Sequence, residues 1–441
     1  MVLVHGEKDG SNDGPVVDYK GNPVDKSKTG GWLAAGLILG SELSERICVM
    51  GISMNLVTYL VGDLHISSAK SATIVTNFMG TLNLLGLLGG FVADAKLGRY
   101  LTVAISASIT ALKRNQPYPS HPSLLNDYEN RKVPYTERYK CLDKAAILDD
   151  NFAANTNKNT NTNSWIVSTV TQVEEVKMVL KLLPIWSTCI LFWTIYSQMT
   201  TFTVEQATIM NRKVGSFKIP AGSLSAFLFI SILLFTSLNE KVFVPLARRI
   251  THTVQGITSL QRIGIGLVLS MAAMVAAAIV EKERREMAVN GNVTISAFWL
   301  LFQYFLVGSG EAFAYVGQLE FFIREAPDRM KSMSTGLFLS TISMGFYVSS
   351  LLVTIVDSVT KKTWLRNNLN RGKLNNFYWL LAALGFFNFW IFLFFASRHQ
   401  YKMQMPIQPE SPQKELKSFN DEMIDDKEKI AAFQAVGNAE P

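Results

Sequence analysis

The chain has 441 residues, of which 48% are hydrophobic and 17% charged, with a formal net charge of +7. That composition is too apolar for most soluble proteins of this size, and the apolar residues gather in runs of about 20, enough helix to cross roughly 30 Å of hydrocarbon. The positive charge is spread over loops and tails with no aromatic-interleaved basic stripe, which fits orientation against anionic lipid and argues against a nucleic-acid partner.

In chain order, residues 1–31 are polar and lack the apolar stretch and small-residue cleavage site of a secretory signal. Runs at 32–61, 71–93, 178–198, 221–238, 263–280, 295–318, 335–357 and 376–396 predict eight full crossings. A shorter run, "YLTVAISASITAL" from Tyr100 to Leu112, stops at Lys113 and Arg114. As a helix it reaches only about 18 Å, so it is expected to be a stub that does not cross. The segment 113–177 is polar, and its Asn/Thr tract, "NFAANTNKNTNTNS", reads as a flexible linker. From Trp165 to Lys181 apolar residues recur at helical spacing (Ile166, Val170, Val173, Val176, Leu180), with Glu174, Glu175 and Lys177 opposite. That pattern predicts an amphipathic helix lying on the membrane surface. Residues 397–441 are charged and polar and read as a disordered tail.

Basic residues do not settle the orientation. Lys241, Arg248, Arg249 and Arg262 fill one loop, while Lys361, Lys362, Arg366, Arg371 and Lys373 fill a loop of opposite parity. The long polar termini and central segment are costly to translocate, so all three are placed in the cytoplasm, a parity that requires the stub not to span. Of the three cysteines, Cys48 and Cys189 lie in spans and Cys141 in a polar loop, which leaves no disulfide framework. The five histidines are scattered without ligand spacing, and no phosphate-cradling loop or nucleophile elbow is present. No enzyme activity, metal or cofactor is expected.

The first span carries three charged residues in "LILGSELSERICVMGISMNLV". Glu42, Glu45 and Arg46 are spaced i, i+3 and i+4, so they share one helix face. Each isolated charge near a bilayer centre costs at least about 2.5 kcal/mol, so such a cluster persists only with partners or in a watery cavity. It reads either as an ion network that fixes packing or as a carboxylate poised between burial and a neighbouring cation, able to load and release a proton.

"ELSER" resembles the Glu-x-x-Glu-Arg signature of the proton-coupled oligopeptide transporter family within the major facilitator superfamily. "GGFVADAKLGRY" (89–100) is similar to the superfamily's loop motif after the second helix, with Gly90, Asp94, Gly98 and Arg99 in place. "NEKVFVPLARRITH" places Glu240, Lys241, Arg248 and Arg249 on the matching loop of the second half. "LQRIGIG", "GQLEFFIREAP", "MKSMSTGLFLS" and "NNFYWLL" resemble the plant nitrate transporter 1/peptide transporter branch, closest to its nitrate-transporting subgroup.

The resemblance implies an all-α membrane protein with a major facilitator superfamily-like helix bundle, in which two bundles of six helices rock around a central solute. Its implied site residues are Glu42, Glu45, Arg46 and Glu311 for proton coupling, and Tyr196, Thr200 and Glu311 for the substrate. Glu311 is a lone carboxylate within a span, and a hydrogen-bonded packing role is the alternative. Tyr196 and Thr200 lie four residues apart, so α-helical winding puts both hydroxyls on one face where they could donate to an anion. Some nitrate-transporting relatives have a histidine at the position of Tyr196, and the alternative there is an aromatic packed on a neighbour. Arg99, three residues before Thr102, makes a basic-directed kinase pattern, so phosphate on Thr102 is expected to act on the gate.

Against that fold the N-terminal half is short. The expected organisation is a cytoplasmic tail (1–31), an incomplete bundle of two helices and the stub (32–112), a cytoplasmic linker with its amphipathic helix (113–177), a six-helix bundle (178–396) and the terminal tail (397–441). Set against the family fold, the resemblance implies that the end of helix three through helix six is absent. Two readings follow: a plasma-membrane proton-coupled symporter of nitrate or a similar small anion, working alone, as a homo-oligomer or with a full-length relative; or a transport-incompetent splice form or incomplete gene product that at most modulates the full-length protein.

Overall fold

The computed structural model describes residues 31–93, 125, 133–137, 139–147, 169–251, 256–291, 293–327 and 331–401. The stub at 100–112, the Asn/Thr tract and the tail beyond 401 lie outside the described residues.

Each of the eight apolar runs is built as helix. In chain order the α-helices among the described residues are α1 (Gly31–Gly62), α2 (Ser68–Ala93), α3 (Val170–Tyr196), the short α4 (Phe202–Thr208), α5 (Ala226–Leu238), α6 (Val244–Thr251), α7 (Ser259–Asn290), α8 (Leu300–Glu325), α9 (Lys331–Val359) and α10 (Leu374–Arg398), with α4 and α6 lying outside the eight runs. A two-stranded hairpin, β1 (Lys213–Val214) and β2 (Phe217–Lys218), follows α4. The run expected to end at 238 continues through a π-helical turn, Asn239–Phe243, into α6. Thr258 opens α7 with a capping box, its side chain accepting from Gln261 N at 3.3 Å while Gln261 Oε1 accepts from Thr258 N at 2.9 Å.

Among the described residues five segments are long and apolar enough to cross a membrane: Val170–Thr208, Ala221–Ile250, Ser259–Asn290, Ser334–Val359 and Leu374–Arg398. α8 misses that measure and carries Gln303, Ser309, Glu311 and Gln318. Gln303, Ser309 and Gln318 are buried, the placement expected for polar groups in a helix whose outer solvent is lipid. The outward faces show the reverse pattern. On α10, Phe387, Trp390 and Ile391 are 65%, 59% and 50% exposed, a surface that water would penalise and hydrocarbon would not.

The described residues fall into two compact units. The first comprises Met1–Leu84, Cys189–Val316 and Thr341–Trp390. Its helices approach backbone to backbone where side chains vanish: a β-carbon on Gly266 would stand 2.6 Å from Ala314 Cβ and 2.9 Å from Gly310 O, and one on Gly345 would overlap Trp193. Close approach also lets hydroxyls reach backbone carbonyls across helices, as Thr194 Oγ1 does to Gly345 O (3.1 Å) and Ser343 Oγ to Gly80 O (2.8 Å).

The second unit comprises Leu85–Thr188, Gly317–Ser340 and Ile391–Pro441. Here the structure departs from the expected surface-lying helix. α3 starts at Val170 and runs unbroken to Tyr196, so the amphipathic stretch is the first part of the spanning helix. Glu174, Glu175 and Lys177 are buried and do not face water. The physical reason is a covering segment: Leu125, Ala145 and Ala146 form one apolar cluster with Val170 and Val173, while Tyr135, Leu142 and Ile147 pack on its edge. Asp143 and Thr136 come with it and satisfy the charged face.

Candidate translocation site

α3 carries Tyr196 and α8 carries Glu311, and aromatic contacts of Trp193 join the two helices. Trp193 packs edge-on against Tyr196 (centroids 5.4 Å apart) and against Tyr315 of α8 (6.3 Å). Tyr196 is 2% exposed. Glu311 lies one turn before Tyr315 on α8 and is partly exposed. The helices can meet there because Gly310 presents no side chain toward Phe192 and Gly266.

Thr200 is buried, but its geometry differs from the simple helical expectation. α3 ends at Tyr196 and Ser197–Thr200 wind as 3₁₀-helix, whose three residues per turn carry Thr200 off the face that α-helical winding would share with Tyr196. Its hydroxyl donates to Ser197 O at 2.8 Å. Next to it, Gln198 Nε2 donates to Ser349 Oγ of α9 at 2.9 Å and to Thr194 O at 3.1 Å.

Glu42, Glu45 and Arg46 fall on α1 and Gly90 on α2, but their side-chain environments lie outside the described residues, as do Asp94, Gly98, Arg99 and Thr102 altogether. On the matching loop, Glu240 and Lys241 sit in the π-helical turn and Arg248 and Arg249 in α6, all four exposed. Glu240 Oε1 is 3.9 Å from Arg262 Nη2 and accepts from Asn239 Nδ2 at 3.3 Å. The chain returns to this turn through Gly256 at φ 69°, where a β-carbon would stand 2.8 Å from Val244 O. Only glycine supports that turn without strain.

Sequence reasoning missed a buried polar network in the same unit. Arg284 of α7 forks onto Glu281, with Nε to Oε2 at 2.7 Å and Nη2 to Oε1 at 2.9 Å. Gln206 Nε2 donates to Glu281 Oε2 (2.5 Å), and Tyr378 of α10 donates to Gln206 Oε1 (3.0 Å). Arg284 also donates to Asn370 Oδ1 (2.6 Å) and to Leu369 O (3.3 Å), pinning the loop between α9 and α10. Beside it, Ser68 at the start of α2 donates to Glu205 Oε1 of α4. The available signal was "EKERRE", which reads as a solvated helix end, yet Glu281 is 0% and Arg284 3% exposed. A charge buried on this scale persists only when every lone pair and proton has a partner.

Comparison with known proteins places these helices in a family. The model of the POT family (PTR2) matches residues 46–380. The Arabidopsis thaliana protein named Protein NRT1/ PTR FAMILY 6.4 is 54% identical over 553 aligned positions, covering 90% of this chain and 93% of that protein. Protein NRT1/ PTR FAMILY 6.2 of the same plant is 36% identical, with 86% and 94% covered. Because 553 positions exceed the 441 residues of this chain, more than a hundred positions of that alignment have no counterpart here. Among solved structures, an auto-inhibited POT family peptide transporter is 22% identical with a TM-score of 0.45, covering 54% of this chain and 44% of that one. The family match and the identity to the plant proteins carry the conclusion: the chain belongs to the POT family of membrane transporters, beside the plant NRT1/PTR FAMILY proteins.

Proposed function

We propose that this chain is a proton-coupled secondary transporter of nitrate or a similar small anion, with Glu311 as its central proton-carrying and substrate-facing group. The observation that carries the reading is the position of Glu311, a partly exposed carboxylate on α8, one turn from the Tyr315 ring that packs on Trp193 beside Tyr196. An ionisable group at that depth belongs to a pathway more readily than to a core. In this scheme Glu42, Glu45 and Arg46 exchange the coupled proton, while Tyr196 offers its hydroxyl to the anion and Thr200 joins it only on releasing Ser197 O. Gly90, Asp94, Gly98 and Arg99 on one loop, and Glu240, Lys241, Arg248 and Arg249 on the other, latch the alternating states, with Thr102 as a phosphorylation point. The plasma membrane is the assigned location.

A second reading is favoured by the alignment. A chain facing more than a hundred unmatched positions of a relative lacks length equivalent to several helices, and losing a wall exposes polar faces to lipid. It is then a transport-incompetent form that at most modulates a full-length relative, or that works only as a homo-oligomer or in assembly with one.

Uptake of labelled nitrate into proteoliposomes, with and without an inward proton gradient, separates the two. Gradient-driven uptake that Glu311→Gln abolishes is the outcome expected of the symporter. Folded protein that takes up nothing under any gradient supports the second reading.

A further inference from the structure

The loop between α9 and α10 holds a polar cavity of about 460 Å³ that the transport reading leaves unused. Lys361, Lys362, Arg366 and Arg371 line it, and Asp357 is the one carboxylate among its lining residues. All four cations are exposed, and none makes an ion pair among the described residues. Against the single carboxylate of Asp357, four like charges on one short loop leave an excess of positive charge that repels itself.

The backbone is nevertheless fixed. Lys361 and Lys362 hold left-handed conformations, at φ 49° and 59°, which side-chain-bearing residues adopt only where the surroundings impose them. Leu365 and Leu369 are buried, Lys373 N donates to Trp364 O at 3.0 Å to close the loop, and Arg284 grips Leu369 O and Asn370. On the other wall Asn367 Oδ1 accepts from Ser68 N at the first turn of the 26-residue helix α2 (3.3 Å), whose dipole adds positive potential. Cations without an ion-pair partner among the described residues, on a pinned loop, form a preorganised anion receptor, and the guanidinium forks match planar or tetrahedral oxyanions.

Topology adds an independent argument, resting on the reading that the central segment and both termini share the cytoplasmic side. Parity then puts this loop on the opposite face, where Lys and Arg are ordinarily scarce. We infer that Lys361, Lys362, Arg366 and Arg371 form an oxyanion-binding site at the outer mouth of the protein, separate from Glu311, which gathers oxyanions from solution or holds the phosphate of a lipid headgroup.

The test is a thermal-shift titration of the purified full chain in maltoside micelles with nitrate, sulfate or inorganic phosphate, each against chloride at constant ionic strength. The quadruple variant K361Q/K362Q/R366Q/R371Q is expected to bind oxyanion at least about tenfold more weakly, while K213Q/K218Q on the exposed β1–β2 hairpin, which removes cations outside both sites, binds as wild type. Should the quadruple variant fold poorly without ligand, K361Q/K362Q alone is expected to weaken binding about threefold. Native mass spectrometry with added anionic phospholipid separates the sources. Lipid retained by wild type and lost by the quadruple variant assigns the site to headgroups, and a shift with free oxyanion assigns it to solution. Unchanged binding by the loop variants, an equal loss in K213Q/K218Q, chloride equalling the oxyanions, or no binding from either source overturns the inference.

Discussion

Glu174 and Lys177 on α3, and Glu281 and Arg284 on α7, are one device in the sequence, an acid followed three residues later by a base, and the two regions complete it differently. Arg284 meets Glu281 with two parallel bonds, so the pair is neutral, and its remaining donors close the loop between α9 and α10, 85 and 86 positions away. Lys177 is shared between two carboxylates, Glu174 at 2.8 Å and Asp143 at 2.6 Å, with its third proton on Thr136 O at 3.0 Å and the Tyr135 ring 4.9 Å below. That cluster carries one net negative charge and is completed by hydroxyls, Thr136 to Glu174 (2.7 Å) and Tyr135 to Asp143 (2.9 Å). A planar fork suits a pair that must stay fixed, and a point charge with three donors suits gathering a distant segment onto a helix.

Removing each centre tests that contrast. Arg284→Met strands a fully buried carboxylate and is expected to lower stability most, by about 3–5 kcal/mol, read as a denaturation midpoint in detergent; a change below about 1 kcal/mol would mean that the fork is replaceable. Lys177→Met is expected to cost less, about 2–3 kcal/mol, because Glu174 and Asp143 each keep a hydroxyl donor, from Thr136 and Tyr135. Its distinguishing mark is hydrogen exchange, which should accelerate across 139–147 and stay unchanged at α7. Tyr135→Phe removes one hydroxyl bond and is expected to cost about 1 kcal/mol.

The same tyrosine gives the Lys177 cluster a signature in pH. Burial first, then the hydrogen bond to and charge of Asp143, push the Tyr135 hydroxyl above its ordinary value, near 10. The folded state therefore keeps a proton that the unfolded chain releases, so its contribution is complete below that pH and fades as pH rises past it. Wild type should lose stability in alkaline titration more steeply than Tyr135→Phe; equal slopes would remove Tyr135 from the cluster. The smallest effect belongs to Glu240→Gln, because its partner Arg262 is 3.9 Å away and the Glu240 side chain is 43% exposed. No more than about 0.5 kcal/mol is expected.

Helix positions were legible because each run of apolar residues long enough to span must close its own backbone bonds. Pairing of charges was not, because i, i+3 spacing looks the same on a solvated face and on a buried one. Whether Glu281 meets water depends on Gln206 and Tyr378, which stand 75 and 97 positions away in the chain. The covered face of α3 was unreadable for the same reason, since Asp143 and Thr136 look like linker until folded onto Lys177. At the candidate translocation site the sequence offered packing on a neighbour as one of two readings of Tyr196 without pointing to Trp193 or Tyr315, and the tightening to 3₁₀-helix at Ser197 displaced Thr200 with no breaker residue to announce it.

Gly345 has a consequence for inherited variation. Any β-carbon there would collide with Trp193 and come within 2.9 Å of Ile190 O, and every single-nucleotide missense change of a glycine codon installs a β-carbon. The codon therefore has no conservative lesion: in a saturation library selected for expression, or in natural alleles of the gene, that column should hold synonymous changes and nothing else.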